Sequence, residues 1–274
     1  MTTTLRPTGP LQQGADGAKA RTYDVCVNSR PVGSIGLATH EVFGPRVCRL
    51  HGLRIAEPDR RRGRGTVAAL AAEEVARGWG CARIETAVPA DAAAALRLVT
   101  ALGYVERSRR LTKPLTDSAP PLPAGTEGRP MTEAEYEPWL VRAKELYAST
   151  WTDRGVPESE ARAKSEADHA RSLPRGLATP HTWLSVLTHH GVRVGTLWLS
   201  VLDGDAFVYD VAVDPEHRGH GHGRSLMHLA EAQGRAADRD RIGLNVLADN
   251  DRALCLYESL GYEPASYYFY KPLF

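Results

Sequence analysis

The sequence predicts an α+β (mixed α/β) fold written twice: two domains, each a mixed, mostly antiparallel sheet flanked by helices. Three observations predict it. The chain has 274 residues, room for two domains near the commonest size of about 100–150 residues. It repeats itself, because Arg60, Gly63 and Gly65 match Arg218, Gly221 and Gly223 at a constant offset of 158. That register persists without a gap, Leu102-Gly103-Tyr104 falling on Leu260-Gly261-Tyr262 and Lys113-Pro114-Leu115 on Lys271-Pro272-Leu273. Third, strand-like runs separated by turn residues alternate with helical runs in the same order in both copies.

In the C-terminal copy Thr132 followed by Glu135 is a capping-box pattern, and apolar residues at helical spacing run on to Ser149. A second helix is expected after Pro157, over 158–172. Runs at 182–188, 193–201 and 206–213 read as an antiparallel meander with His-Gly and Asp-Gly turns. Residues 225–237 read as a helix, 242–247 as a strand, 250–260 as a helix closed by Gly261, and 262–273 as an aromatic last strand. The N-terminal copy has the same later elements, but a short Pro/Gly/Gln/Ala stretch at 7–20 stands where the other copy has two helices. Residues 117–127, rich in proline, suit a surface linker. The expected domains are therefore 1–116, truncated and non-catalytic, and 128–274, catalytic.

Composition removes several classes. Hydrophobic residues at 42% and charged residues at 24% are globular values, and a formal charge of +1 gives no general pull towards nucleic acid or an anionic membrane. Apolar runs fall well short of the ~20 residues that span a bilayer, and the start lacks an apolar signal core, so a cytoplasmic location is expected. Cys26, Cys48, Cys81 and Cys255 stand singly, without a CxxC pair, and read as buried small hydrophobes. The Arg60–Arg64 run has no interleaved aromatics and reads as a plain basic loop.

The chemistry concentrates after the strand ending at Val213. Asp214-Pro-Glu-His-Arg-Gly-His-Gly-His-Gly-Arg-Ser225 leads straight into a helix, and its alternating glycines let successive backbone N–H groups converge. Such a nest at a helix N-terminus suits a phosphate or pyrophosphate. A P-loop would need a lysine at a different spacing, and a dinucleotide fingerprint a different glycine pattern.

The Arg-x-x-Gly-x-Gly form at Arg218–Gly223 resembles the signature loop of the GNAT acetyltransferase superfamily. The second landmark of that family is also in place, as Asn250-x-x-Ala253-x-x-Leu256-Tyr257-x-x-Leu260-Gly261-Tyr262. The resemblance covers nearly the whole chain, twice. It implies acetyl-CoA as co-substrate, with no metal. The backbone of Arg218, Gly219, His220, Gly221, His222, Gly223, Arg224 and Ser225 would hold the pyrophosphate, that of Val211, Ala212 and Val213 the pantetheine arm, and Asn250, Ala253 and Tyr257 would also touch the coenzyme. Asn250 reads equally as a plain helix N-cap. The family places its general acid at Tyr257, and Asp210 is the candidate base; strand alternation puts Tyr209 on the opposite face from Asp210, so only one of them is expected to face the cleft. His217, His220 and His222 read as solvent-exposed loop side chains or phosphate contacts rather than metal ligands, and His189-His190 as a hairpin tip.

In the first copy Asn250, Tyr257 and Asp210 correspond to Ala92, Val99 and Gly52, so its chemistry is expected to be absent. The expected activity is transfer of an acetyl group to a primary amine of a small molecule, peptide or protein. The alternatives are another acyl donor, or an acyl-CoA sensor without transfer. Two fused copies either mimic a dimer or pair further as a homodimer; the sequence leaves this open.

Overall fold

The computed structural model describes residues 2–40, 43–116, 120–153, 156–202 and 204–273; residues 117–119 of the expected linker and Asp203 of the Asp-Gly turn lie outside them. In chain order the elements are β1 (Thr3–Pro7), β2 (Gln12–Gln13), β3 (Lys19–Val27), β4 (Arg30–His40), β5 (Gly44–Ile55), α1 (Arg64–Gly78), β6 (Arg83–Pro89), α2 (Ala93–Ala101) and β7 (Val105–Pro114). The second copy supplies β8 (Thr126–Pro130), α3 (Glu133–Thr152), α4 (Glu158–Ser172), β9 (Thr182–His189), β10 (Val192–Leu202), β11 (Asp205–Val213), α5 (His222–Ala236), β12 (Arg241–Leu247), α6 (Asp251–Ser259) and β13 (Glu263–Pro272). The fold class is as the pattern predicts. Helix α5 starts at His222, three residues before the expected 225, because Gly221 takes the left-handed N-cap conformation (φ 83°) and the helix can begin at once.

The compact units do not coincide with a linear division of the chain. One comprises residues 1–109, 247–249 and 264–274; the other comprises 110–246 and 250–263. In the first unit β3, β4 and β5 form an antiparallel meander, β5 runs parallel to β6, and the far side of β6 pairs antiparallel with β13, from Ser266 opposite Pro89 to Pro272 opposite Arg83. In the second unit β8, β9, β10 and β11 are antiparallel, β11 runs parallel to β12, and the C-terminal half of β7 lies beyond β12, with the Leu115 amide donating to the Asp240 carbonyl at 2.8 Å. Each unit is thus closed by the last strand of the other copy.

Each such strand inserts a lysine into a buried polar cluster. Lys113 donates to Glu231 at 2.8 Å over the Tyr262 ring, and Lys271 donates to Glu73 at 2.8 Å over the Tyr104 ring. Glu231 and Glu73 are only 3% and 2% exposed, and a carboxylate so placed requires a partner. The two tyrosine hydroxyls have their ionisation pushed up by burial and then by those carboxylates.

The apolar cores follow the strand faces. Ile35, Leu37, Ile84 and the alanine face of α1 fill the first unit. In the second, Leu197, Leu199, Val208, Leu226 and Met227 pack between sheet and α5, while Trp139, Tyr136, Leu184 and Trp198 form a separate cluster under α3. Cys26, Cys48 and Cys81 are buried as expected; Cys255 is exposed, which corrects that reading, since helical periodicity turns position 255 outward while Leu254 and Tyr257 point in. No helix among the described residues is long and apolar enough to cross a membrane.

Candidate functional site

Strands β11 and β12 begin side by side and then separate. Their pairing runs from Ala206 opposite Ile242 to Val208 opposite Leu244 and stops there, although β11 continues to Val213. The β12-facing backbone edge of β11 beyond Val208, which includes Val211, Ala212 and Val213, is therefore open to another extended chain.

The separation starts at an irregularity in the ladder with β10. Trp198 lies opposite Asp210 and Leu199 opposite Val208, so Tyr209 is an extra residue, a β-bulge. The bulge overturns the expectation that Tyr209 and Asp210 face opposite ways. Asp210, as the cross-strand partner of Trp198, shares its face; Tyr209 stacks on the same indole, with ring centroids 4.6 Å apart and planes 15° from parallel. Tyr209 is 37% exposed, and Phe207 meets it edge-on at 5.1 Å. The indole N–H of Trp198 donates to Ser200 Oγ at 3.2 Å. His169 of α4 lies 5.5 Å from the same indole and is held by its Nδ1–H, which donates to the Ser165 carbonyl at 2.8 Å. Trp198, His169 and this bulge were not singled out from sequence, because register is a property of paired strands and leaves no mark on one of them.

Asp210 is half-buried, and desolvation raises its carboxyl to about 6, offset in part by a hydrogen bond from the Val211 amide. Tyr257, on α6, is buried within the core of the second unit. Burial, and then the charge of Asp210, push its phenol up to about 12. Acid and base candidates are thus electrostatically coupled.

The glycine loop divides its amides into two groups. Arg218 donates to the Pro215 carbonyl at 3.4 Å, and Arg224 and Ser225 donate to the Gly221 carbonyl at 3.0 and 3.2 Å. The five amides between them, Gly219 to Gly223, donate to no backbone carbonyl among the described residues. Of the eight amides from Arg218 to Ser225, three are thus already used in turn and helix bonding. Gly219 and Gly221 sit at φ 86° and 83°, where only glycine is unstrained. Gly223 serves differently: a Cβ there would stand 3.2 Å from Leu256 Cδ2, so its hydrogen lets α5 approach α6. The Arg218 side chain folds back on the Val213 carbonyl at 3.4 Å, and Arg224 reaches Ser259 Oγ at 2.6 Å. Asn250 caps α6, its Oδ1 accepting the Ala253 amide at 3.1 Å, so that amide is committed within the helix.

His222 departs from the expectation of an exposed loop side chain. It is 7% exposed and packs beneath the loop, its ring centroid 5.2 Å from that of His189. His220 is exposed and His217 half-buried, and His189 ends β9 with His190 in the turn that follows, at the hairpin tip as expected.

The family model for the acetyltransferase (GNAT) family matches residues 5–104 and 140–262. The chain belongs to that family. It is accordingly an acetyltransferase, built as two GNAT copies. A mycothiol acetyltransferase of Beutenbergia cavernae is 31% identical over 206 residues, covering 73% of this chain and 67% of its own length. An uncharacterized N-acetyltransferase of Bacillus subtilis, YdgE, is 29% identical over 143 residues, covering 48% of this chain and 88% of its own. Among solved structures, a GCN5-related N-acetyltransferase from Sphaerobacter thermophilus superposes with a TM-score of 0.61 at 17% identity, over 92% of this chain and 80% of that one. A tandem GNAT protein from the clavulanic acid biosynthesis pathway superposes at 0.51 and 21% identity, over 96% and 85%. These two likenesses establish the fold.

The GNAT loop of the first copy is differently furnished. Arg61, at the position of Gly219, holds the left-handed conformation at φ 58°, and Gly52 stands in the corresponding ladder irregularity at φ 63°. Val99 is buried where Tyr257 stands in the other copy, and Ala92 offers α2 no capping side chain.

Proposed function

We propose that the second unit transfers an acetyl group from acetyl-CoA to a primary amine of a small molecule or peptide, and that the first unit is non-catalytic. The observation that carries this reading is the coincidence, within one unit, of an open β11 edge, five unpaired loop amides and the coupled pair Asp210 and Tyr257. Acetyl-CoA would supply the acetyl thioester. The free amides of Gly219 to Gly223 would meet its pyrophosphate at the positive end of α5, and the unpaired edge at Val211 to Val213 would take the amide groups of its pantetheine arm. The three amides already bonded, and that of Ala253, would contribute position rather than hydrogen bonds.

The chemistry then needs an unprotonated amine and a proton for the departing thiolate. Asp210, with its carboxyl raised to about 6, is ionised at neutral pH yet basic enough to take an amine proton as the new C–N bond forms. Doing so removes the negative charge that helps to hold the Tyr257 proton. Tyr257 therefore becomes a stronger acid at the moment the thiolate, whose thiol has an ordinary pKa near ~8.5, must be protonated. The Tyr209–Trp198 stack beside Asp210 would form the aromatic wall against which the acceptor rests.

The test is thiol release from acetyl-CoA with a panel of amines. Tyr257→Phe is expected to lower kcat about 10²–10⁴-fold with little change in the KM for acetyl-CoA. Asp210→Asn is expected to remove the ascending limb of the kcat/KM profile near pH ~6. Unchanged turnover in both variants would assign the chemistry elsewhere.

A further inference from the structure

Resting on the acetyl-transfer reading, we infer that the acceptor is a monoamine carrying an aromatic ring, an arylalkylamine, and that Tyr209 is the residue that selects it. A row of rings runs from α3 across α4 and β10 to β11 within the second unit. Centroids are 5.7 Å apart from Tyr147 to His169, 5.5 Å from His169 to Trp198, 4.6 Å from Trp198 to Tyr209 and 5.1 Å from Tyr209 to Phe207. The Arg110 guanidinium lies over the Phe207 ring at 5.0 Å and closes that end of the row.

One ring of the row is open. His169, Trp198 and Phe207 are 6%, 4% and 7% exposed and Tyr147 is half-buried, whereas Tyr209 is 37% exposed. An exposed tyrosine is ordinarily free to turn, but the Trp198 indole lies 15° from parallel behind this one and fixes its plane. A ring already fixed in place loses little rotamer freedom when a flat group is laid on it, and aromatic pairs of this kind gain beyond the area they bury. Asp210 is the next residue, about 3.8 Å along the chain between Cα atoms. A short alkyl link is enough to place an ammonium at Asp210 and an aryl ring on Tyr209.

The polar atoms of the row are largely taken, which argues against a sugar as the group that rests there. Trp198 Nε1–H donates to Ser200 Oγ at 3.2 Å, and that hydroxyl is 2.8 Å from Thr182 Oγ1. Tyr147 O–H donates to Asp168 at 2.8 Å, and His169 Nδ1–H to the Ser165 carbonyl at 2.8 Å. Burial holds His169 below its ordinary range, so its ring is neutral at pH 7. A sugar brings a hydroxyl on most of its carbons, each of which needs a partner when it leaves water; this wall offers ring faces instead.

Charge limits the acceptor to one ammonium. Asp210 accepts from the Val211 amide and has no ion pair among the described residues. Asp168, at the far end of the row, is held by Lys164 and Arg171 at 2.5 Å each. Arg110, at the other end, brings a positive charge of its own. A polyamine would carry further ammonium groups to a wall that has one carboxylate to spare and a guanidinium beside it.

The experiment compares 2-phenylethylamine, 2-cyclohexylethylamine, propylamine, glucosamine and spermidine on the full chain, by thiol release from acetyl-CoA and by calorimetry with coenzyme A saturating. The phenyl compound is expected to exceed the cyclohexyl one about 3–10-fold in kcat/KM and propylamine about 10–100-fold, with binding in the same order. Tyr209→Leu should bring the phenyl-to-cyclohexyl ratio to about one, and Tyr209→Phe should keep it. Loss of folded protein scales every acceptor together and leaves that ratio alone; if the Leu variant does not fold, the wild-type panel decides by itself. A wild-type ratio near one, a preference for glucosamine or spermidine, or a ratio that survives Tyr209→Leu would overturn the inference. Turnover of amines without aromatic preference leaves acetyl transfer standing and removes the substrate class. Ring-dependent binding without thiol release does the reverse, and neither binding nor release removes both.

Discussion

At the residue scale the proposed base carries a measurable cost. The Asp210 carboxyl stands at about 6 because burial disfavours its charge, against an ordinary value near ~3.9. A carboxyl raised on folding contributes stability that is complete below its unfolded value and lost as pH rises through about 6. Asp210→Asn should therefore stabilise the second unit at neutral pH by up to about 3 kcal/mol, with no gain near pH ~4; urea unfolding at the two pH values checks it. A variant more stable and less active is the expected signature of a residue kept for function. Asp210, Tyr257 and Asn250 were singled out from spacing and resemblance, and the structure puts all three in the second unit. That Tyr209 faces the same way as Asp210 was not legible, since the side chains of a lone strand alternate and only the offset of Trp198 and Leu199 against Asp210 and Val208 reveals the extra residue. His222 was misplaced for a similar reason, because a residue in a glycine-rich loop reads as exposed until β9 is seen to carry His189 beneath it.

At the element scale the loop between β11 and α5 depends on glycines doing two different jobs. Gly221 holds φ at 83°, and Gly221→Ala should cost about 1–2 kcal/mol of stability and weaken coenzyme A binding, because the amides of His222 and Gly223 turn with it. Gly223→Val should instead press on Leu256 and displace α6, moving Tyr257. Calorimetry with coenzyme A separates the two: the first variant loses affinity, while the second loses kcat as well. Almost every helix and strand of the second copy was predicted to within a few residues, since period and caps are local. That the amides of Gly219 to Gly223 have no backbone partner among the described residues was not, because which amides are used up depends on where the helix begins.

At the scale of the whole molecule the closing strands set the consequences. The stretch 110–115 belongs to the unit built mainly from the second copy, and 264–274 to the unit built mainly from the first. A fragment from 118 onward would leave Glu231 buried without Lys113, and a fragment ending at 117 would leave Glu73 without Lys271. Neither is expected to fold alone, whereas the two fragments expressed together should recover acetyl transfer; circular dichroism and turnover of the separate and combined pieces test this. In the intact chain Lys113→Met should cost about 3–5 kcal/mol, since it strands a buried charge, and Glu231→Gln in the same chain should recover much of that loss.

The sequence by itself determined that one fold is written twice, which copy carries Asn250, Asp210 and Tyr257, and that a glycine-spaced loop joins a strand to a helix in both. These are properties of spacing and residue type, readable along one chain. Only the tertiary structure decided where the last strands go, which face the bulge turns Tyr209 towards, and which ring of the aromatic row is left open. Each of those depends on which segments lie side by side, and segments with the same periodicity can be paired in more than one way until a core and its buried charges choose between them.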